Sequence, residues 1–192
     1  GITPEVARFA SRVADDGFRV YLPHLFGSPG RAFSNGSVVR QMLRACVSRE
    51  FSVLARGESS PITDWLRALC RHAHRECGGP GVGAIGMCLT GNFALALMLD
   101  ECVMAPVLSQ PSLPFPVTGA HRRALHVSDE DLDIVRRRSQ SGCAVLGLRF
   151  TADPLVPAER FERLRDELGD GFEAIEIDSG PGNPHGLAQS AH

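Results

Sequence analysis

A chain of 192 residues, 43% of them hydrophobic, can bury one substantial core and is only loosely long enough for two. A formal charge of -2 and a pI near 6.4 give no global electrostatic pull toward nucleic acid or an anionic membrane. The 20 basic residues are all arginine, and the longest apolar run, around Phe93 to Leu99, falls far short of the roughly 20 residues of a membrane span.

Thr3 before Pro4 signals a helix start, Val6, Phe9, Ala10, Val13 and Ala14 recur at helical spacing, and Gly17 ends the helix. FRVYL reads as a short strand and PHLFGSPGRAFSNG as a loop of turn formers. A helical stretch follows over roughly 38–54. Ser60 and Pro61 open another helix, with Trp65, Leu66, Leu69, Cys70 and Ala73 on one face, which stops at Gly78 and Gly79. Next come VGAIG as a strand, Thr90 to Leu99 as a helix, CVMAPVL as a strand, and the proline-rich loop SQPSLPFPVTG. Ser128 caps an acidic-start helix running to about Gln140, and AVLGLRF is a nearly all-apolar strand. Pro157 opens a helix ending near Leu168, FEAIEI is the last strand, and SGPGNPHGLAQSAH is loop-like. Helices alternating with short buried-type strands predict one α/β domain over 1–192, with a mostly parallel sheet covered on both faces.

The six cysteines (Cys46, Cys70, Cys77, Cys88, Cys102 and Cys143) form no CxxC pair and no zinc-ligand spacing. The first residues, GITPEVARFA, lack the basic start and apolar core of a signal peptide. Reduced thiols and a cytoplasmic address are therefore expected. His72 and His74 lie on the helix with Cys70 and Cys77, and Cys70, His74 and Cys77 share a face; with no fourth ligand evident, core packing outweighs a metal site.

The stretch GPGVGAIGMCLTGNFALALML admits two readings. Gly81, Gly83 and Gly86 form a GxGxxG, the pattern that cradles a dinucleotide pyrophosphate between a strand and a helix. Here the order is helix, glycines, strand, cysteine, helix, so the glycines sit in the wrong place for that role. The other reading is a nucleophile elbow, in which one residue occupies a strained strand-to-helix corner flanked by small residues. Gly86 supplies the small position before Cys88, Gly91 lets the following helix pack close to the strand, and that helix aims its free N–H groups at the thiol. A hydrolase of this architecture takes its acid after a later strand and its histidine after the last one. TADPLVP sets Asp153 just beyond AVLGLRF, and DSGPGNPHG sets His185 beyond FEAIEI. His192 in the same tail is an alternative base, Asp178 a weaker alternative acid, and His24 reads as a loop residue.

In GMCLTGNFALAL, RFTADPLVPAERF, the final GNPHG and, more weakly, YLPHLFG, the chain resembles the dienelactone hydrolase family, an α/β-hydrolase branch with a cysteine nucleophile. The resemblance spans essentially the whole chain. It implies a three-layer α/β-hydrolase-type fold with Cys88 as nucleophile, Asp153 as the acid that orients the base, and His185 as that base, since HG after a turn-rich linker matches better than His192. The Leu89 N–H would be one oxyanion donor. Family members usually carry a glycine where Thr90 stands. They also have a central strand with an acidic E-I-F-G loop before the segment that begins here as GITPE, and a closing helix beyond the equivalent of His192. The expectation is therefore a piece of a longer polypeptide.

The resemblance implies hydrolysis of a small activated ester or lactone through a thioester, with no cofactor, no metal, and no nucleic-acid or membrane partner. A non-catalytic binding protein that keeps the fold is the rival from another class; a dinucleotide-dependent oxidoreductase is the third. The natural substrate and the oligomeric state are not written in the sequence.

Overall fold

The computed structural model describes residues 2–25 and 61–180, in two compact units, Gly1–Ser52 and Val53–His192. The helix expected over 38–54, and the tail with His185 and His192, lie outside the described residues.

In the first unit, α1 spans Pro4–Asp15. The Thr3 hydroxyl accepts the Val6 N–H at 3.4 Å, Pro4 fills the first turn, and Gly17 leaves the helix at φ +91°, a conformation that favours glycine. FRVYL forms no strand. A strand exists through its ladder of hydrogen bonds, and the described ladders are those of four strands in the second unit.

The second unit begins with α2, Pro61–Cys77. There follow β1 (Val82–Met87), a single 3₁₀ turn (Cys88–Thr90), α3 (Phe93–Leu97) and β2 (Val103–Ser109). The chain continues through α4 (Gly119–Arg123), α5 (Asp129–Gln140), β3 (Val145–Phe150), α6 (Ala158–Leu168) and β4 (Phe172–Ile177). Strand order is β1-β2-β3-β4, and every pair is parallel. Met87 therefore lies opposite Ser109, Ser109 opposite Leu148, and Phe150 opposite Ile177, so all four strands release their chain at one edge. In an open parallel sheet that edge is where sites are built.

Strand alternation divides the sheet into two faces. The first carries Ala84, Leu108, Val145, Gly147, Arg149 and Phe172. Against it packs one buried cluster in which α3 and its C-cap give Leu95 and Met98, α5 gives Leu132 and Val135, and α6 gives Phe161 and Leu164. The Phe161 and Phe172 rings meet edge to face with centroids 5.5 Å apart. The second face is equally apolar but more open: Ile85 on β1 and Ile175 on β4 are 45% and 44% exposed. Helix ends are tied by arginines. Arg138 on α5 donates to the Asp100, Glu101 and Val103 carbonyls at 2.5, 3.1 and 2.9 Å, while Arg67 and Arg71 on α2 grip the Asp100 carboxylate at 2.6 and 2.7 Å.

The helix expected from Thr90 to Leu99 is broken. A 3₁₀ turn, then Gly91 and Asn92, precede the five residues of α3. Gly91 and Asn92 keep right-handed helical backbone angles but bond in the tighter i to i−3 pattern, and the buried Asn92 amide donates to the Leu113 carbonyl. Thr118, with its side chain accepting the His121 N–H, starts α4, an element hidden behind the proline-rich loop. On α2, Leu66 and Ala73 are buried as the periodicity predicts, whereas Trp65 is 52% exposed.

Candidate active site

Cys88 is the first residue after β1 and stands at φ +54°, in the left-handed region that a side chain other than glycine rarely adopts. Its side chain is exposed. Two neighbours make the corner possible. A Cβ added at Gly86 would strike the Thr90 and Gly91 carbonyl oxygens, so the turn packs directly on bare strand backbone. A Cβ at Gly91 would strike Pro111, so the space kept by Gly91 belongs to the loop after β2. The expectation that Gly91 lets the next helix approach the strand is corrected accordingly: Gly86 has that role.

Thr90 tightens the turn. Its hydroxyl accepts the Met87 N–H at 3.1 Å and donates to the Met87 carbonyl at 2.9 Å, so it staples the corner shut. Leu89, the next residue, is buried. The expected long helix with its dipole aimed at Cys88 is absent; a three-residue turn and a five-residue helix stand there instead.

Asp153 follows β3 in a tight turn, where Oδ1 accepts the Leu155 N–H at 2.9 Å and the Asp153 carbonyl accepts the Val156 N–H at 3.2 Å. Cys88 and Asp153 thus leave the same edge of the sheet, two strands apart. The segment after β4 is zipped to the Asp153 turn: Ser179 Oγ accepts the Ala152 N–H at 3.2 Å, and the Thr151 hydroxyl accepts the Ser179 N–H at 3.0 Å. That segment leads on to His185 and His192, which lie outside the described residues. Asp178, the alternative acid, accepts the Gly180 N–H at 3.1 Å, next to the same turn. An open cleft of about 570 Å³ borders Asp153 and is lined also by Arg122, Arg149 and Glu159. Arg122 donates to both Glu159 oxygens, at 2.7 and 3.0 Å, and holds that carboxyl below its usual range.

The loop after β2 completes the surroundings of Cys88, and sequence reasoning missed it. Ser112, buried, puts its Oγ 3.6 Å from the Cys88 Sγ, and its backbone N–H donates to the Cys88 carbonyl at 3.1 Å. Arg160, 0% exposed, donates to the Pro111 carbonyl and, at 2.6 and 3.0 Å, to those of Pro114 and His121. Burial pushes its guanidinium down to about 10. In a proline-rich segment, one serine reads as a turn former, and an arginine on a helix reads as a surface charge.

The other candidates lie apart from this corner. His74 Nε2 lies 3.1 Å from the Gly79 carbonyl, Cys77 is exposed and Cys70 half-buried, so the Cys70-His74-Cys77 face is not a uniform core stripe. Burial lifts the Cys70 thiol to about 11. Among the described residues, no group of three or more His, Cys, Asp or Glu side chains could hold a metal ion, and no helix is long and apolar enough to cross a membrane. The strand of the GxGxxG stretch runs within the glycines, starting at Val82 with Gly83 inside it, which is unlike a pyrophosphate cradle.

No curated protein and no solved structure matches the chain. The model of the dienelactone hydrolase family matches residues 1–192, the whole chain. Together with a parallel α/β sheet and a cysteine at a strained strand end, that match makes this chain a member of the dienelactone hydrolase family, and so of a hydrolase class.

Proposed function

We propose that the chain hydrolyses a small activated ester or lactone, of the dienelactone kind, through a thioester on Cys88. The observation that carries the reading is the exposed Cys88 thiol on a left-handed corner that Gly86 and Thr90 are built to hold. Strain of this kind costs on the order of 1–3 kcal/mol and persists where the position of a side chain matters.

In the proposed sequence, the thiol proton passes to His185 and the sulfur attacks the carbonyl carbon. The Leu89 N–H donates to the developing oxyanion, an interaction worth about 3–4 kcal/mol. The C–O bond breaks as His185 returns the proton to the leaving oxygen. Water, deprotonated by the same imidazole, then cleaves the thioester and restores the thiol. Asp153 fixes the imidazole tautomer and balances its positive charge. A thiol needs less help from its base than a hydroxyl near neutral pH, which suits activated esters.

Replacing Cys88 with alanine in the full chain should abolish turnover of 4-nitrophenyl acetate with the thermal midpoint unchanged. Turnover at the parent rate would remove Cys88 from the chemistry and leave a binding protein on a hydrolase fold as the better account. Iodoacetamide labelling, mapped by peptide, should separate Cys88 from Cys77, which is also exposed.

A further inference from the structure

We propose that Ser112 is a further catalytic residue: its hydroxyl donates a hydrogen bond to the Cys88 sulfur whenever that sulfur carries negative charge. The proposal rests on Cys88 being the nucleophile. Ser112 Oγ stands 3.6 Å from Cys88 Sγ, within hydrogen-bond reach for sulfur. The residue is 2% exposed, and among the described residues the Cys88 sulfur is its hydroxyl's partner. A buried hydroxyl without a partner is costly, so one aimed at a reactive thiol is held there by its surroundings.

Those surroundings fix Ser112 from every side. Its own N–H donates to the Cys88 carbonyl at 3.1 Å. The residue before it, Pro111, rests on Gly91 and gives its carbonyl to Arg160. The next two carbonyls, of Leu113 and Pro114, accept from the Asn92 amide and from Arg160. The loop that carries the hydroxyl is thus anchored both to the turn after Cys88 and to α6. Because none of these anchors uses the Ser112 side chain, the hydroxyl is the one part of the residue with no structural task.

The sulfur is negatively charged twice in the cycle. Before attack, the thiol proton has left for the base and the lone pair waits on sulfur. At the end, water's attack on the thioester breaks the C–S bond and returns that pair to sulfur. At both points the hydroxyl donates to sulfur without moving its own proton. While the C–S bond exists, the sulfur is uncharged, since negative charge rests on the substrate oxygen in the tetrahedral intermediates and is absent from the thioester, and the hydroxyl is a bystander. This arrangement supplies locally what a long helix after Cys88 would otherwise supply.

Ser112→Ala removes the hydroxyl and leaves every backbone anchor, and Ser112→Thr keeps a hydroxyl. A lost hydrogen bond to a charged acceptor is worth about tenfold in thiolate population, but the thiolate left without its donor is more basic and so more nucleophilic, which offsets part of that loss and leaves alkylation about threefold slower. Iodoacetamide labelling of Cys88 at pH 7 in the full chain should therefore slow about threefold in Ser112→Ala and stay at the parent rate in Ser112→Thr. The kcat for 4-nitrophenyl acetate should fall by a similar factor with KM unchanged. Parent-like labelling in the alanine variant would overturn the proposal, as would equal slowing in both variants or loss of folding in Ser112→Ala, since each assigns the residue to packing. Labelling needs no turnover. If Cys88→Ala still hydrolyses the ester, the nucleophile assignment fails, while labelling judges the Ser112–Cys88 pair by itself.

Discussion

Arg149 lies on the core face of β3, where a strand read as nearly all apolar buries a guanidinium only 4% exposed. Its charge is answered across the sheet by Glu176, whose Oε2 accepts Nη1 at 2.7 Å, while Nη2 donates to the Thr151 carbonyl at 2.9 Å beside the Asp153 turn. Arg165 also bonds Glu176 and, with Arg149, holds its carboxyl below the usual range. Removing one partner of a buried pair leaves the other charge uncompensated, so Glu176→Gln should cost about 2–3 kcal/mol in chemical denaturation, less than a fully buried pair because Glu176 is partly exposed. An unchanged midpoint would mean water already serves Arg149. His126 makes the opposite case. It is buried at φ +59° with neither ring nitrogen hydrogen-bonded among the described residues, and burial, then Arg160 and His121, push the imidazole down to about 4. The unfolded chain takes up that proton near the ordinary 6.5 and the native state does not, so stability is full above 6.5 and drains as pH falls toward 4. Between pH 7 and 5.5 the loss is on the order of 1 kcal/mol, a window above the lowered carboxylates of Asp100, Glu167 and Glu176. Urea midpoints at the two pH values should show that slope in the parent and a flatter one in His126→Leu; equal slopes would place the proton elsewhere.

Elements whose ends carry their own chemistry were legible in the sequence. Helix α5 begins where Ser128 accepts the Asp131 N–H at 3.0 Å and three acidic residues fill the first turn, and α1 begins at its Thr-Pro cap. Ser128→Ala should therefore cost about 1 kcal/mol, read as a small drop in thermal midpoint. The four strands of the sheet could be read from their short apolar runs. The region after Cys88 could not, because from Gly91 to Met98 every residue is buried, and an all-apolar run has no period that tells a long helix from a broken one. The bond from Asn92 to the Leu113 carbonyl, which ties this region to the loop after β2, is likewise a long-range contact that local pattern does not encode. FRVYL erred for a related reason: β-type composition describes a pleated surface, and only a partner makes it a strand. The elbow glycines were recognised by type but not by partner. Gly86→Ala should be the more severe change, since its Cβ meets two backbone carbonyl oxygens, whereas Gly91→Ala meets one proline of a loop. A loss of more than about 3 kcal/mol at Gly86, with a smaller one at Gly91 that slows Cys88 labelling through Ser112, is the expected pattern; equal costs would argue that the loop is as fixed as the strand.

Across the molecule, a parallel sheet gathers what the chain keeps far apart. Residues 88, 112, 153 and 178 all follow strands that end at one edge, although the first and last are separated by most of the second unit. Cys88 and Asp153, the proposed nucleophile and acid, stand out in the sequence because each follows a strand directly; Ser112 lay hidden because its place depends on anchors from α6 and from Asn92. The base is the remaining choice, and chain geometry bears on it. Gly180 is fastened beside the Asp153 turn through Asp178, and Ser179 through Thr151 and Ala152. His185 follows Gly180 by five positions, a reach of at most about 18 Å, and that short tether is the ground for proposing it over His192 as the partner of Asp153. His192 has a tether of twelve residues and a larger entropy to lose in closing the same loop, by about 0.8 kcal/mol. We therefore expect His185→Ala to lower kcat/KM for the aryl ester by a factor on the order of 10²–10⁴, the range for a lost general base, and His192→Ala to leave it within about twofold. Asp153→Asn should fall with His185→Ala, and the double variant should be little worse than either alone, since a carboxylate that acts only through the imidazole has nothing left to do once the ring is gone. The reverse pattern, with His192 essential and His185 silent, would move the base to the far end of the tail and break the link between the Asp153 turn and the chemistry.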